Sequence, residues 1–331
     1  MLLRSCASIA SVAGILLVLP LAASADTLFG VSQPFTLSLS PQHPLPYSTV
    51  SVVPVSAQVD VTSGTVTVSV NGKQAVSGGA GSTNILLGAP GVPVSVLVKL
   101  ATGGGTYTES MTITPQDVVL VAEPLSSAPP LYAGKPLVPL GGSIRMVAAA
   151  DMRTPTGKRL DPGTLAYLWS VDGVEQQASS GIGKKTLIVD SPLQYRSRSV
   201  SVTVTSSDRT LAGEASFDVV AVDPSIRIYE RDPLLGIRFE RALVSSYAIH
   251  GAESTLYAGA FSFPTALGSP VIAWFLNGIS AQQGSFITLR PTGAGTGSAA
   301  LSVTGSSGGV VAASASIPVA FGSSRSSFFG L

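Results

Sequence analysis

Charge, cysteine and histidine are all scarce in this 331-residue chain, and each shortage excludes something. Charged residues make up 11% of it and sum to a formal net charge of +1, so no general field gathers nucleic acid or anionic lipid. The single cysteine, Cys6, stands near the N-terminus, which leaves everything after it without disulfides or a zinc-thiolate site. With only His43 and His250, no histidine cluster suits zinc or copper. Beyond the first 25 residues no apolar run reaches the roughly 18 residues of a spanning helix.

What is present is valine, serine, threonine, alanine and glycine, a mixture that favours strands and turns over helices. The opening 25 residues differ from the rest. Arg4 precedes an uncharged stretch containing "GILLVLPLA", and Ala23-Ser24-Ala25 stands just before Asp26. That layout predicts a secretory signal peptide over 1–25, cleaved after Ala25. The rival reading is an uncleaved anchor formed by residues 5–25. Both export the bulk of the chain, to the periplasm, the cell surface or the extracellular space, and neither places a lipoprotein cysteine at the junction.

Three short segments align at one domain length: "TVTVSVNG", "LAYLWSVDG" and "VIAWFLNG". Val68, Trp169 and Trp274 are equivalent, 101 and 105 residues apart. Each segment alternates apolar residues on one face: Val66, Val68, Val70; Tyr167, Trp169, Val171; Ile272, Trp274, Leu276. Each then meets Asn71-Gly72, Asp172-Gly173 or Asn277-Gly278, pairs that accept positive φ and close a tight hairpin. Upstream, each copy opens with a strand ending at Pro41, Pro124 or Pro233, read as an edge strand because proline lacks the ladder N–H. Downstream come two more alternating strands, exemplified by Val200, Val202, Val204 and Ala215, Phe217, Val219. About seven strands per copy at this turn spacing indicate a β-sandwich.

The alternating tryptophan strand and its Asp-Gly turn resemble strand C of immunoglobulin-like domains, in particular the bacterial immunoglobulin-like and PKD-type modules of exported surface proteins. The resemblance covers residues 27 to 320. It departs from the family in the absent disulfide, in the acidic pattern reduced to Asp172-Gly173, and in Val68 standing for tryptophan. It implies an all-β chain of three tandem immunoglobulin-like antiparallel β-sandwiches, with domains at 26–116, 117–222 and 223–321 and a disordered tail at 322–331.

No catalytic, cofactor-binding or metal-binding residue emerges from the sequence. Gly305-Ser306-Ser307-Gly308-Gly309 fits a hydrolase pattern, yet it lies between two predicted strands, with no helix after it and His250 expected at the opposite end of the sandwich. "SSGIGKKT" lacks the first glycine and the hydroxyl of a phosphate loop, so Lys184 and Lys185 read as a solvated turn. Asp117 and Asp223 at the junctions, with Asp151, Asp161, Asp172, Asp190, Asp208 and Asp218, have no calcium-loop spacing. Tyr229, Arg231, Arg238 and Phe239 could anchor a partner; read structurally, they belong to a strand, a bend and an edge strand resembling "PLYAGKPLVP" at 130–139. Tyr107, Tyr132, Tyr229, Phe239 and Phe275 are candidates for stacking a sugar. The expected role is a non-enzymatic spacer, adhesion or envelope-assembly protein. Its partner is expected to be a protein or an envelope glycan, with no nucleic acid and no membrane contact except through an uncleaved N-terminal segment. The other readings are a glycan- or protein-binding module and a hydrolase with an interdomain site.

Overall fold

The computed structural model describes residues 35 to 322 apart from 80, 250, 293 and 294. The signal segment at 1–25, His250 and nearly all of the tail lie outside the described residues. Strands joined by turns and loops make up the described residues, and the only helices among them are three single 3-10 turns, at Val61–Ser63, Gln177–Ser179 and Thr265–Leu267. Among the described residues no helix is long and apolar enough to cross a membrane.

The first sandwich comprises β1 (Thr36–Ser40), β2 (Thr49–Val55), β3 (Thr65–Val70), β4 (Lys73–Gly79), β5 (Thr83–Leu86), β6 (Val94–Thr102) and β7 (Gly105–Ile113). Its sheets run β1-β2-β5 and β4-β3-β6-β7. The second holds β8 (Asp117–Pro124), β9 (Ser143–Asp151), β10 (Ala166–Val171), β11 (Val174–Glu175), β12 (Gly181–Ile182), β13 (Thr186–Asp190), β14 (Ser197–Thr205) and β15 (Ala212–Val220). Here β13-β9-β8 faces β11-β10-β14-β15, and β12 also pairs with β10.

The third sandwich is larger: β16 (Ser225–Asp232), β17 (Gly236–Leu243), β18 (Tyr247–Ala248), β19 (Ser254–Phe261), β20 (Val271–Leu276), β21 (Ile279–Gln283), β22 (Phe286–Leu289), β23 (Gly297–Ser307) and β24 (Val311–Phe321). Its sheets run β17-β16-β19-β22 and β18-β24-β23-β20-β21. Among the described strands all pairings are antiparallel except the two-residue contact of β18 with β24, and outside the strands Pro139 and Val222 form a single parallel bridge.

Period-two alternation builds three separate cores, because each strand sends every second side chain between its sheets. One gathers Val50, Val66, Val68, Val96, Val98 and Leu100, the next Ile144, Met146, Tyr167, Trp169, Val200 and Val202. The last is built on Ile228, Leu256, Phe263, Trp274, Leu301 and Val303. Both tryptophans have no exposed surface and Val68 has 2%. The expected inward register therefore holds in all three copies, and with it the all-β tandem sandwich fold.

Three expectations need correction. β16, the first strand of the third sandwich, is not at an edge, because the hairpin partner β17 lies outside it. Residues 130–139 form no strand comparable to this hairpin and run along the next sandwich instead. Phe217 points inward by parity yet is 37% exposed, since β15 ends its sheet and nothing pairs beyond it.

Candidate functional site

The repeated hairpin is a structural unit. Asn71, Asp172 and Asn277 take φ of 50°, 51° and 49°, and the glycines after them take 77°, 79° and 80°, so both turn positions are left-handed and the hairpin is of the primed type. Each turn side chain also reaches the neighbouring long strand. Asn71 Oδ1 accepts from Ser95 N at 2.9 Å, Asp172 Oδ1 from Ser199 N at 2.9 Å, and Asn277 Oδ1 from Ala300 N at 2.8 Å. A short acceptor at this position closes the turn and anchors it at once, which explains why only Asn or Asp appears there.

The tryptophans close the sandwich from inside. Trp169 Nε1 donates to Lys184 O at 2.8 Å, and Trp274 Nε1 donates to Gly284 O at 2.9 Å. A buried indole needs such an acceptor. "SSGIGKKT" is thus the loop that covers Trp169, and Lys184 Nζ is spent on Ala178 O at 2.8 Å.

The contacts that distinguish one part of the chain from another lie where sandwiches meet. At the first junction Gln116, 1% exposed, uses its side-chain amide like a piece of strand. Its Oε1 accepts from Arg153 N at 2.7 Å and its Nε2 donates to Arg153 O at 3.0 Å. Gly91 N donates to Pro115 O at 2.8 Å, and a Cβ on Gly91, whose φ is +77°, would lie 2.7 Å from Arg153 Cβ. Only glycine permits that approach. Asp151 pairs with both Arg153 and Arg159 at 2.9 Å beside it. Next to these contacts a cleft of about 560 Å³ remains open, lined by His43 and Leu45 from one sandwich and Val119, Leu120 and Glu214 from the other.

At the second junction the segment between β8 and β9 leaves its own sandwich and pairs with the next. Ser127 N donates to Phe263 O at 2.8 Å, Ser262 N to Ser127 O at 3.0 Å, and Thr265 N to Leu125 O at 3.0 Å. Ser127 Oγ also accepts from Phe263 N at 3.1 Å. The returning leg holds the connecting chain: Leu140 N donates to Val222 O, and Val222 N to Val138 O, both at 2.9 Å.

Side chains reinforce this clasp. On the outer face of the β17-β16-β19-β22 sheet, Tyr132 meets Phe261 edge-on at 4.9 Å between centroids and Phe239 at 5.7 Å. Phe239 continues to Tyr229 at 5.2 Å and to Tyr257 at 5.9 Å, and Tyr257 to Phe286 at 5.0 Å. Arg227 lies over Phe261 and Arg231 over Phe286, at 5.8 and 5.4 Å. Gly259 makes room, since a Cβ there would stand 3.1 Å from Pro129 Cγ and from the rings of Tyr229 and Phe261. Burial pushes the phenols of Tyr229 and Tyr257 above the ordinary tyrosine range.

Of the residues singled out in the sequence, Tyr132, Tyr229 and Phe239 come together here, as a packed cluster rather than an open stacking surface. Tyr229 is 2% exposed, so Tyr229, Arg231, Arg238 and Phe239 form no free anchor patch, and Arg238 is held by Glu240. Tyr107 lies on β7 against the first core, and Phe275 lies on β20 of the other sheet. Ser307 is 2% exposed at the end of β23, where its Oγ donates toward Leu267 O and Gly268 O at 3.1 and 2.9 Å, tying two loops together. Asp223 accepts from Gln194, Asp161 from Gly163 N, and Asp208 from Ser206 and Thr210. Among the described residues no three His, Cys, Asp or Glu side chains group around a common point. Phe261, Tyr257 and Phe286 escaped the sequence reading, although "TLYAGAFSF" places Tyr257 and Phe261 on its outward parity.

No family model and no curated protein matches the chain. Among solved structures, the central fibronectin-III array of RIM-binding protein is similar at 14% identity, over 87% of this chain and 96% of that one, with a TM-score of 0.31. The three N-terminal domains of the highly immunogenic outer capsid protein of bacteriophage RB49 show 11% identity over 87% and 98%, at 0.24. The fibronectin(III)-like modules of Clostridium thermocellum CbhA show 12% over 64% and 100%, at 0.23. These superpositions are loose, and the architecture stands on the strand order and cores described above. The chain is a tandem array of immunoglobulin-like antiparallel β-sandwiches.

Proposed function

We propose that the chain is an exported, non-enzymatic structural protein of a bacterial cell surface or envelope, a spacer of PKD-like sandwiches that holds its partners at a set separation. Its partner is a protein or an envelope glycan reached through loops and strand edges. The observation that supports this reading is the second junction, where backbone hydrogen bonds from Leu125 and Ser127 to Ser262, Phe263 and Thr265 carry one sandwich into the next. A hinge meant to swing freely has no use for such a ladder, whereas a spacer needs its joints fixed. Small-angle scattering of the full chain tests it. An extended particle on the order of 100 Å long is expected from three stacked sandwiches whose strands rise ~3.4 Å per residue. A compact globule overturns the spacer. Fractionation of the native cell with N-terminal sequencing tests export, with a mature chain beginning at Asp26 expected and a cytoplasmic full-length chain contradicting it.

A further inference from the structure

Edge strands need protection, because their unpaired N–H and C=O groups template pairing with another chain; charge is a common device. Most longer edges here carry it. β7 has Glu109, β15 has Glu214 and Asp218, β8 has Asp117 and Glu123, and β17 has Arg238, Glu240 and Arg241. β24 differs: 11 residues, "VAASASIPVAF", hold no charge. Its inner side pairs with β23 along the whole length, whereas its outer side meets β18 only at Val319 and Ala320. From Val311 to Ile317 no strand among the described residues pairs with that outer edge, and proline first appears at Pro318. Exposed apolar residues flank the gap: Val310 at 78% and Val244, in the connection leading to β18, at 87%.

The sequence of this edge says what fits it. Paired antiparallel with itself about Ser314, the strand sets Val311 opposite Ile317, Ala312 opposite Ser316, Ala313 opposite Ala315, and Ser314 opposite Ser314. Val311, Ala313, Ala315 and Ile317 already face the core, and Ala312, Ser314 and Ser316 face solvent. Self-pairing keeps every side chain on its own face, and the two five-stranded sheets become one. A charged edge resists such symmetric pairing, because residues near the two-fold axis meet their own kind and like charges repel. We infer that the Val311–Ile317 edge of β24 is an isologous interface through which two copies of this chain join as a continuous antiparallel sheet.

Sedimentation velocity of the full chain over a concentration series is the primary test, with a concentration-dependent dimer expected. Ser314→Lys with Ser316→Lys puts lysines near lysines in this pairing at positions that are solvent-exposed in one copy. It is expected to weaken the dimer by about tenfold or more while leaving the melting temperature of the monomer in place. A second variant reads the register without depending on repulsion. In a Cys6→Ser background, which leaves no other cysteine, Ser314→Cys is expected to cross-link two copies through a short bis-maleimide, and Ser302→Cys on the interior strand β23 is not. A chain that stays monomeric at every concentration overturns the inference. So does a dimer that survives both lysines, or equal cross-linking at 302 and 314.

Discussion

The two junctions join sandwiches of the same kind by different means. The first is narrow: one glycine that lets Arg153 come close, one glutamine amide that doubles as a strand, and an open cleft of about 560 Å³ at its side. The second is broad, with the segment from Leu125 to Leu140 reaching out to pair with residues 262 to 265 and returning to pair with Val222. Five further aromatic rings and two arginines gather around Tyr132 to seal it. Burial of apolar surface stabilises in proportion to the area removed from water, and the aromatic rings that pack against Tyr132 lie at the second junction. The second and third sandwiches should therefore unfold and move as one body, with the first attached more loosely.

Removing Trp169 gives the largest expected effect on this comparison. Loss of a fully buried tryptophan costs about 3–5 kcal/mol, and Trp169 has no exposed surface. Trp169→Ala leaves Trp274 as the only tryptophan, so its fluorescence reports on the third sandwich alone. The urea midpoint seen by Trp274 is expected to fall as well, because unfolding the second sandwich withdraws the clasp from the third. Amide exchange in β6 should stay slow, since the first junction transmits little. A Trp274 midpoint that does not move would show the two sandwiches to be independent.

This coupling was only half visible in the sequence. The cores could be read because alternation at Val68, Trp169 and Trp274 is a local property that repeats with one register. The clasp could not, because pairing of Ser127 with Ser262 and Phe263 spans more than a hundred positions and leaves no period behind. "PLYAGKPLVP" resembles a strand, a bend and an edge strand, yet its prolines suit an extended segment that lies on another sheet. Gln116 gave no signal at all, for a glutamine in a short connection is ordinarily solvated, and only the position of Arg153 makes its amide a substitute for backbone. The uncharged β24 was legible as a strand, but not as an edge, since sheet order is not written in periodicity.

Tyr132→Ala addresses the clasp directly while leaving both cores intact. Each edge-on aromatic pair contributes about 0.5–1.5 kcal/mol beyond its area, and Tyr132 makes two such pairs. A loss of roughly 2 kcal/mol in the coupling between the second and third sandwiches follows. A double-mutant cycle with Phe261→Ala measures the share of that one pair, about 0.5–1.5 kcal/mol, and strict additivity of the two substitutions would mean that this ring contact carries none of the coupling.

At the first junction Gln116→Ala should cost about 1 kcal/mol, because water can reach the backbone of Arg153 once the amide is gone. The expected readout is orientational: alignment tensors fitted separately to residual dipolar couplings of the first and second sandwiches should diverge further in the variant than in the parent. Alkaline titration gives the smallest effect and separates the joints again. Burial raises the phenol pKa of Tyr229 and Tyr257 in the clasp, and of Tyr167 and Tyr247 in the cores on either side of it. Their unfolded forms lose the proton first. The stability gained by keeping them neutral is thus complete below the ordinary tyrosine range and disappears as pH rises through the raised folded values. Amide exchange followed upward in pH, corrected for its intrinsic base dependence, should show the second and third sandwiches loosening while β3 and β6 of the first hold. Uniform loosening of all three would mean that the clasp phenols do not set the difference.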